Sequence, residues 1–522
     1  MERIHRKSAL NRTAELILAC HGRGEGLLWE RYEKQLPLCA FTSNGLNCRK
    51  CFLGPCRINP FGDEPAQGVC GAGRDQIVME NLFRTTLEGL LETARSAALV
   101  GKGDGELPDI GSDLSRKLRE QLSGAGMLPV TKGQIFGLEN SFFSHREYLS
   151  NTLSDLVRMG LIHYGFLKAG KAPAGKASSP AADTGGARVF CVGQAPAAFA
   201  AALKKAAGSE KILLLGQGGN GSPAIAALAD QGTPEFALEM GIDALVVAPN
   251  AAFPALEALA ARAGLPVILL VGKKSLKETA EETVRLALAR RKAAGTDRSA
   301  IDLRAENADL AGKKKALQKA FAAGRLQGVA VLFGEANVKQ PFFERTLAIL
   351  EGCLQERCMV LLGGEIGAHA DMLMAELARR KSAAGEEFAA AIRKDGLPAV
   401  AAFGSAFELP DAVGFVRALA PQKEASELPA VFAFPEFHRA STWAAAASCL
   451  SLGFTVQIGE RLPFWGAPAL TESLLNAWPK MTGATLLAAP SQPAPAAQLQ
   501  ELLAVIRARQ AAGKAAPGKR GK

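Results

Sequence analysis

Arg188–Val192 (RVFCV), Lys211–Leu215 (KILLL), Ala244–Ala248 (ALVVA) and Pro266–Val271 (PVILLV) decide the fold of much of this chain. Each is a short, almost wholly apolar run. Stretches with helical character, Ala197–Ala207, Ala224–Ala229 and Ala255–Ala263, lie between them. Apolar runs that alternate with helices read as strands of a parallel sheet with helices on both faces. The pattern recurs at Val329–Phe333, Met359–Leu362, Ala399–Ala402, Ala430–Phe434 and Thr455–Ile458, which predicts a second doubly wound unit. The charged stretch Ser275–Ala323 between the two sets reads as a helical hairpin.

Upstream the pattern differs. Residues 1–37 read as mostly helical, with an apolar patch at Leu16, Ile17 and Leu18. Helical periodicity returns at Ile77, Leu82, Leu87, Leu90 and Leu91, and again at Leu153, Leu156 and Met159. The stretch Ala169–Gly186 (AGKAPAGKASSPAADTGG) has no apolar period and reads as a flexible boundary. The expected class is α + α/β. A helical domain would span residues 1–170, a linker 171–187, one α/β domain with a charged helical extension 188–323, a second α/β domain 324–512, and a basic flexible tail 513–522.

The 522 residues carry a formal net charge of +10, part of it in the tail Lys514–Lys522 and near Lys171. Such runs read as solvated tails. With three Tyr and four Trp and no aromatic–basic interleaving, nucleic acid is not an expected partner. Met1–Asn11 is charged and lacks the pattern of a signal peptide, and no apolar run approaches the ~20 residues of a membrane span. A soluble, cytoplasmic protein is expected.

Six of the ten cysteines fall within Cys20–Cys70. In a reducing compartment that clustering argues for metal rather than disulfides. The stretch Cys39–Cys70 contains Gly45, Gly54, Pro55, Pro60 and Gly62 and reads as a loop. Within it the spacing is Cys48-x2-Cys51-x4-Cys56-x13-Cys70. Four thiolates so placed suit zinc or an iron–sulfur cube. Zinc sites usually show two short C-x2-C knuckles, and only one is present. Cys70 also leads into a predicted helix whose N-terminal amides would favour an anionic cluster.

The residues Arg31-Tyr32-Glu33, Cys39-Ala40-Phe41, Cys48-Arg49-Lys50-Cys51, Gly54-Pro55-Cys56-Arg57-Ile58, Gly68-Val69-Cys70-Gly71-Ala72 and Asn81-Leu82-Phe83-Arg84 together resemble the N-terminal region of nickel–iron carbon monoxide dehydrogenases. The resemblance is dense over Arg31–Arg84 and weaker through both α/β parts. It implies a [4Fe–4S] relay cluster on Cys48, Cys51, Cys56 and Cys70 in each subunit of a homodimer. It also implies two Rossmann-like domains and a redox partner of ferredoxin-like or other iron–sulfur type.

The sequence departs from that family in three places. Cys39 matches one of two cysteines that each subunit gives to an interface cluster; the other position is Asn47. One thiolate per subunit cannot furnish four ligands, so the interface cluster is expected to be absent or completed by other ligands, and Cys39, an interface thiol by resemblance, to pair with its symmetry mate or, as a reducing compartment favours, to remain a plain buried thiol. The six positions that resemble nickel–iron cluster ligands carry Gln194, Gly219, Asn250, Glu335, Glu365 and Ala406. Nickel–iron clusters need soft thiolates, so that cluster is expected to be absent. The histidines and lysine of the family's proton relay are missing as well: Glu88–Val100 contains no histidine, and Ser441 stands near the lysine position.

Two further patterns arise there. Gly216-x-Gly218-x-x-Gly221 follows a strand, as a dinucleotide fingerprint does, but no acidic residue ends a strand ~20 positions on. Glu335, Glu365 and His369 would suit a hard metal or, alternatively, a hydrogen-bonded polar filling. Cys191, Cys353, Cys358 and Cys449 read as core thiols. The leading expectation is a [4Fe–4S] protein in electron transfer, or a partner redox subunit, without CO oxidation. The alternatives are an enzyme with new chemistry in the old cavity and a regulatory or scaffold subunit.

Overall fold

The structure is a computed structural model. It describes residues 7–24, 26–61, 64–100, 106–143, 149–170, 185–192, 197–216, 241–248, 260–270, 275–294, 310–380, 383–403 and 406–514.

The N-terminal part contains helices α1 (Asn11–Gly22), α2 (Leu28–Glu33), α3 (Ala40–Ser43), α4 (Arg74–Val100), α5 (Arg116–Gly124), α6 (Gln134–Phe143) and α7 (Leu149–Ala169). The predicted cysteine loop is not all loop. Two-residue strands β1 (Asn47–Cys48) and β2 (Cys56–Arg57) pair antiparallel and set Cys48 opposite Cys56. They escaped the sequence reading because a two-residue strand has no periodicity to detect.

Of the five residues whose spacing predicted it, helix α4 buries Ile77, Leu82, Leu87 and Leu90 and half-buries Leu91. It packs with α7 and with α16 (Ala440–Ser451), a helix from the far end of the chain that is buried along most of its length. Small residues allow this close crossing: a Cβ at Gly160 of α7 would sit 2.5 Å from the Ala447 carbonyl oxygen. At the junction the buried His163 ring bonds to the Thr93 hydroxyl of α4 (2.9 Å) and the Ser448 hydroxyl of α16 (2.8 Å). Burial holds this imidazole at a pKa of about 3, so it stays neutral at neutral pH.

The first sheet contains β3 (Ala187–Val192), β4 (Ile212–Gly216), β5 (Ala244–Val247) and β6 (Val267–Leu269), all parallel, in the order β4-β3-β5-β6. Helix α8 (Ala197–Ala207) packs against α9 (Leu276–Ala294), which also lies on β3 and β5. The expected hairpin at Ser275–Ala323 is therefore corrected. Helix α9 buries Ala280, Val284 and Ala287 in the small core of the first sheet. Helix α10 (Lys314–Ala322) buries Leu317 and Ala320 in the larger core, and Gln318 Nε2 donates to the Ala418 carbonyl (2.9 Å). Charge density marked both as helices; the apolar stripe of each chose a different sheet.

The second sheet has six strands: β7 (Gly328–Gly334), β8 (Cys358–Gly363), β9 (Val400–Ala402), β10 (Ala430–Phe434), β11 (Val456–Ile458) and β12 (Leu486–Leu487). All pair in parallel, in the order β12-β11-β10-β7-β8-β9. Counted within this sheet, that is the doubly wound order 3-2-1-4-5-6 read from the β9 edge. The edge strand β12 is too short for its two leucines to have signalled it. Around the sheet stand α11 (Glu344–Gln355), α12 (Gly364–Ala368), α13 (Ala370–Arg380), α14 (Ala383–Arg393), α15 (Leu409–Arg417), α17 (Pro468–Thr482) and α18 (Pro495–Lys514). Among the described residues no helix is long and apolar enough to cross a membrane.

Candidate metal centre

Two places in this fold invite a functional reading: the cysteine stretch and the carboxyl end of the second sheet. At the first, Asn81 on α4 donates Nδ2 to the Gly45 and Asn47 carbonyls (2.9 and 2.7 Å), and Arg74 Nη2 donates to the Asn59 carbonyl (2.9 Å). These bonds seat the loop on the N-terminal turns of α4. A second turn, closed by Gly68 N–H to the Ala72 carbonyl (2.8 Å), carries Cys70. The result is a recess of about 400 Å³, its solvent-facing mouth included, lined by Cys48, Cys51, Cys56 and Cys70 with Lys50, Gly54, Gly68 and Glu80.

The recess suits sulfur ligation. Cys56 Sγ accepts the Val69 N–H (3.4 Å). A Cβ on Gly54 would sit 2.7 Å from the Cys56 nitrogen and 3.3 Å from its sulfur, so only glycine lets the chain fold this tightly over the thiol. Burial raises the Cys48 thiol, opposed by the Lys50 amide, and the negative charges of Glu80, Cys56 and Cys70 raise it further. Like charges gathered this way are costly unless a cation joins them, which is what an iron or zinc centre supplies.

Four thiols lining one recess are the donor set of a zinc site, whose sulfurs all meet one ion, and equally of a [4Fe–4S] cube, each of whose four irons takes one thiolate. The donor set fits a [4Fe–4S] cluster.

The remaining thiols lie elsewhere. Cys191, Cys353, Cys358 and Cys449 are buried. Desolvation holds Cys358 up at about 12 and pushes Cys353 and Cys449 well above the ordinary thiol value too, so all three stay protonated at neutral pH. On this chain Cys39 is exposed, at the N-cap of the four-residue helix α3. The Thr42 hydroxyl, with the Thr42 and Phe41 amides, holds its thiol below the ordinary value.

The carboxyl end of the second sheet is organised differently. Ligands of doubly wound sheets enter beyond the strand ends at the point where strand order reverses, here between β7 and β10. Glu335 and Glu436 follow those two strands. The Glu335 N–H donates to the Glu436 carbonyl (3.1 Å), which carries the pairing past the sheet. Each carboxylate then caps the helix that follows the other strand. Glu335 Oε1 accepts the His438 and Arg439 N–H groups (3.0 and 2.8 Å) and Oε2 the Thr442 hydroxyl (2.7 Å), at the start of α16. Glu436 accepts the Phe343 and Thr346 N–H groups (2.9 and 3.0 Å) and the Thr346 hydroxyl (3.2 Å), at the start of α11. Both carboxylates satisfy helix-start amides and oppose the positive end of a helix dipole. Burial pushes Glu436 up to about 7 despite these bonds.

The hard-metal trio of the sequence does not assemble there. Glu335 is committed to α16; Glu365 lies 3.5 Å from the Arg439 guanidinium; His369 Nδ1 bonds the Glu365 carbonyl (2.8 Å), and its ring tilts against Phe343. The geometry is that of a hydrogen-bonded filling. Ala406 opens a short 3-10 turn before α15 and offers no donor. Gln194, Gly219 and Asn250 lie outside the described residues, as do Gly218 and Gly221 of the glycine pattern. Glu436, unremarked in the sequence, could have been suspected from its place just beyond an apolar strand. Glu80 gave no such sign, since its link to Lys50 spans 30 positions.

A family model described as the Prismane/CO dehydrogenase family matches residues 46–107 and 235–491, the first span containing all four recess cysteines. Carbon monoxide dehydrogenase of Rhodospirillum rubrum is 39% identical over 132 residues, 23% of this chain and 20% of that protein. Carbon monoxide dehydrogenase 1 of Methanosarcina mazei is 43% identical over 91 residues, 17% of this chain and 14% of that protein. The matched stretches thus span a fifth or less of these relatives' length. Carbon monoxide dehydrogenase IV from Carboxydothermus hydrogenoformans superposes with a TM-score of 0.79 over 97% of this chain and 100% of its own, at 18% identity, which is a likeness of fold.

Proposed function

The chain belongs to the Prismane/CO dehydrogenase family, and on that premise we propose that it is an iron–sulfur protein that transfers single electrons, either alone or as the partner subunit of another redox protein, without a nickel–iron cluster. Cys48, Cys51, Cys56 and Cys70 hold one [4Fe–4S] cluster, which would supply a one-electron couple. The observation that carries the reading is a contrast of donors. Four thiols line one recess, while the six positions resembling nickel–iron ligands hold no cysteine at all. Nickel and iron clusters need thiolates; Gln, Asn, Gly and Ala do not replace them.

The chain's own groups prepare the cluster. The Val69 amide donates to Cys56, the Lys50 amide favours the Cys48 thiolate, and Gly54 allows the loop to close over sulfur. Cys51 and Cys70 are exposed, so the electron enters or leaves on that side. Phe52 and Leu53 follow Cys51 in the chain and Val69 precedes Cys70, and all three are exposed, as are Phe61, Leu36, Leu38 and Cys39 on the same N-terminal segment. Such exposed large apolar side chains support burial against a second copy of the chain, and docking of a ferredoxin-like or other iron–sulfur partner beside it.

Metal analysis of anaerobically purified protein tests the reading. About four irons per chain, as a cube requires, and essentially no nickel are expected, with no reduction of a viologen by CO. Stoichiometric nickel or clear CO turnover would overturn it.

A further inference from the structure

Lys50 and Glu80 form an ion pair in the recess wall. Lys50 lies between two cluster cysteines, and its Nζ is 2.8 Å from Glu80 Oε1 on α4. Their side chains are only 12% and 18% exposed, so water and salt screen them little. Both residues line the recess together with the four thiols. Among the described residues, no other acidic or basic side chain lines it.

We propose that Lys50 and Glu80 set the reduction potential of the [4Fe–4S] centre through their opposite charges, Lys50 raising it and Glu80 lowering it. The inference rests on the cluster assignment above. Reduction moves one electron from a one-electron donor, such as a reduced viologen, onto the cluster. The four thiolates remain bound and no proton is taken up, so the centre gains one full negative charge. An ammonium in the wall stabilises that added charge and a carboxylate opposes it. Net charge and sulfur hydrogen bonding are the levers by which a protein tunes such a centre. The pairing also fixes where the ammonium sits, because Glu80 belongs to the rigid start of α4 whereas Lys50 belongs to the loop.

The test is an anaerobic redox titration of the full chain, followed by the electron paramagnetic resonance of the reduced cluster, with iron content measured on each sample. Lys50→Gln is expected to lower the potential and Glu80→Gln to raise it, each by about tenfold in the reduction equilibrium, or about 59 mV for one electron. The double variant should return towards the parent value, and Lys50→Arg should stay near it. A pair that merely braced the loop would make both single variants shed iron and would give no shifts of opposite sign. Shifts of the same sign, or none in variants with parental iron, overturn the proposal. If Lys50→Gln loses its iron, Glu80→Gln decides alone by rising or not. If both lose it while Lys50→Arg keeps it, the pair is a brace and the proposal fails. A parent chain with no iron–sulfur signal sinks the cluster assignment itself, which is a separate failure.

Discussion

The cysteine recess and the carboxyl end of the second sheet differ in what their polar groups face. In the recess, four sulfurs surround a shared space, and the amides nearby point at sulfur. At the sheet end, Glu335 and Glu436 are spent on each other's helices, and Glu365 faces Arg439. Both places hold several potential ligands in a small volume. What separates a site from a filling is whether the donors converge on a space or on the protein itself. The sheet end has the topology of a binding crevice, and there the Glu335 and Glu436 carboxylates are turned to the starts of two helices.

Variants at the two places should therefore fail in different ways. The largest effect is expected for Cys51→Ser, which should lose the visible charge-transfer absorption and most of the iron; an unchanged spectrum would place the cluster elsewhere. Glu335→Ala should leave iron untouched but strand the half-buried amides and the buried Thr442 hydroxyl at the start of α16, costing about 2 kcal/mol in denaturant unfolding. Iron loss at parental stability in that variant would make the sheet end a metal site and erase the contrast.

The smallest effect concerns His163, which ties both parts together through α4, α7 and α16. Its folded pKa of about 3 lies below the unfolded value of 6.5. Below pH 6.5 the unfolded chain takes up a proton that the native chain refuses, so stability falls as pH falls. Relative to His163→Gln, the parent should lose about 1.4 kcal/mol per pH unit below that point. Equal pH dependence of the two would mean that water reaches this junction.

The sequence made the parallel sheets legible because strands buried on both faces are continuous apolar runs, as in Val329–Phe333 and Ala430–Phe434. It made the recess legible because four cysteines crowded into one glycine- and proline-rich stretch point to a shared metal. It did not show that Ser275–Ala323 divides between two cores, since helical periodicity does not name the surface a stripe will meet. It suggested both readings of Glu335 and Glu365, because a carboxylate at a strand end looks the same whether it binds a cation or caps a helix. The choice came from Arg439, Thr442 and the start of α16, more than 70 positions away from either glutamate. The place of Cys39 was likewise invisible, since a four-residue helix such as α3 leaves no periodicity to read.

Anomalous diffraction from anaerobic crystals, measured across the iron and nickel edges, tests the contrast most directly. The account predicts one iron cluster per chain among Cys48, Cys51, Cys56 and Cys70, and no anomalous signal among Gln194, Gly219, Asn250, Glu335, Glu365 and Ala406. A nickel or iron peak at that second group of residues would contradict it.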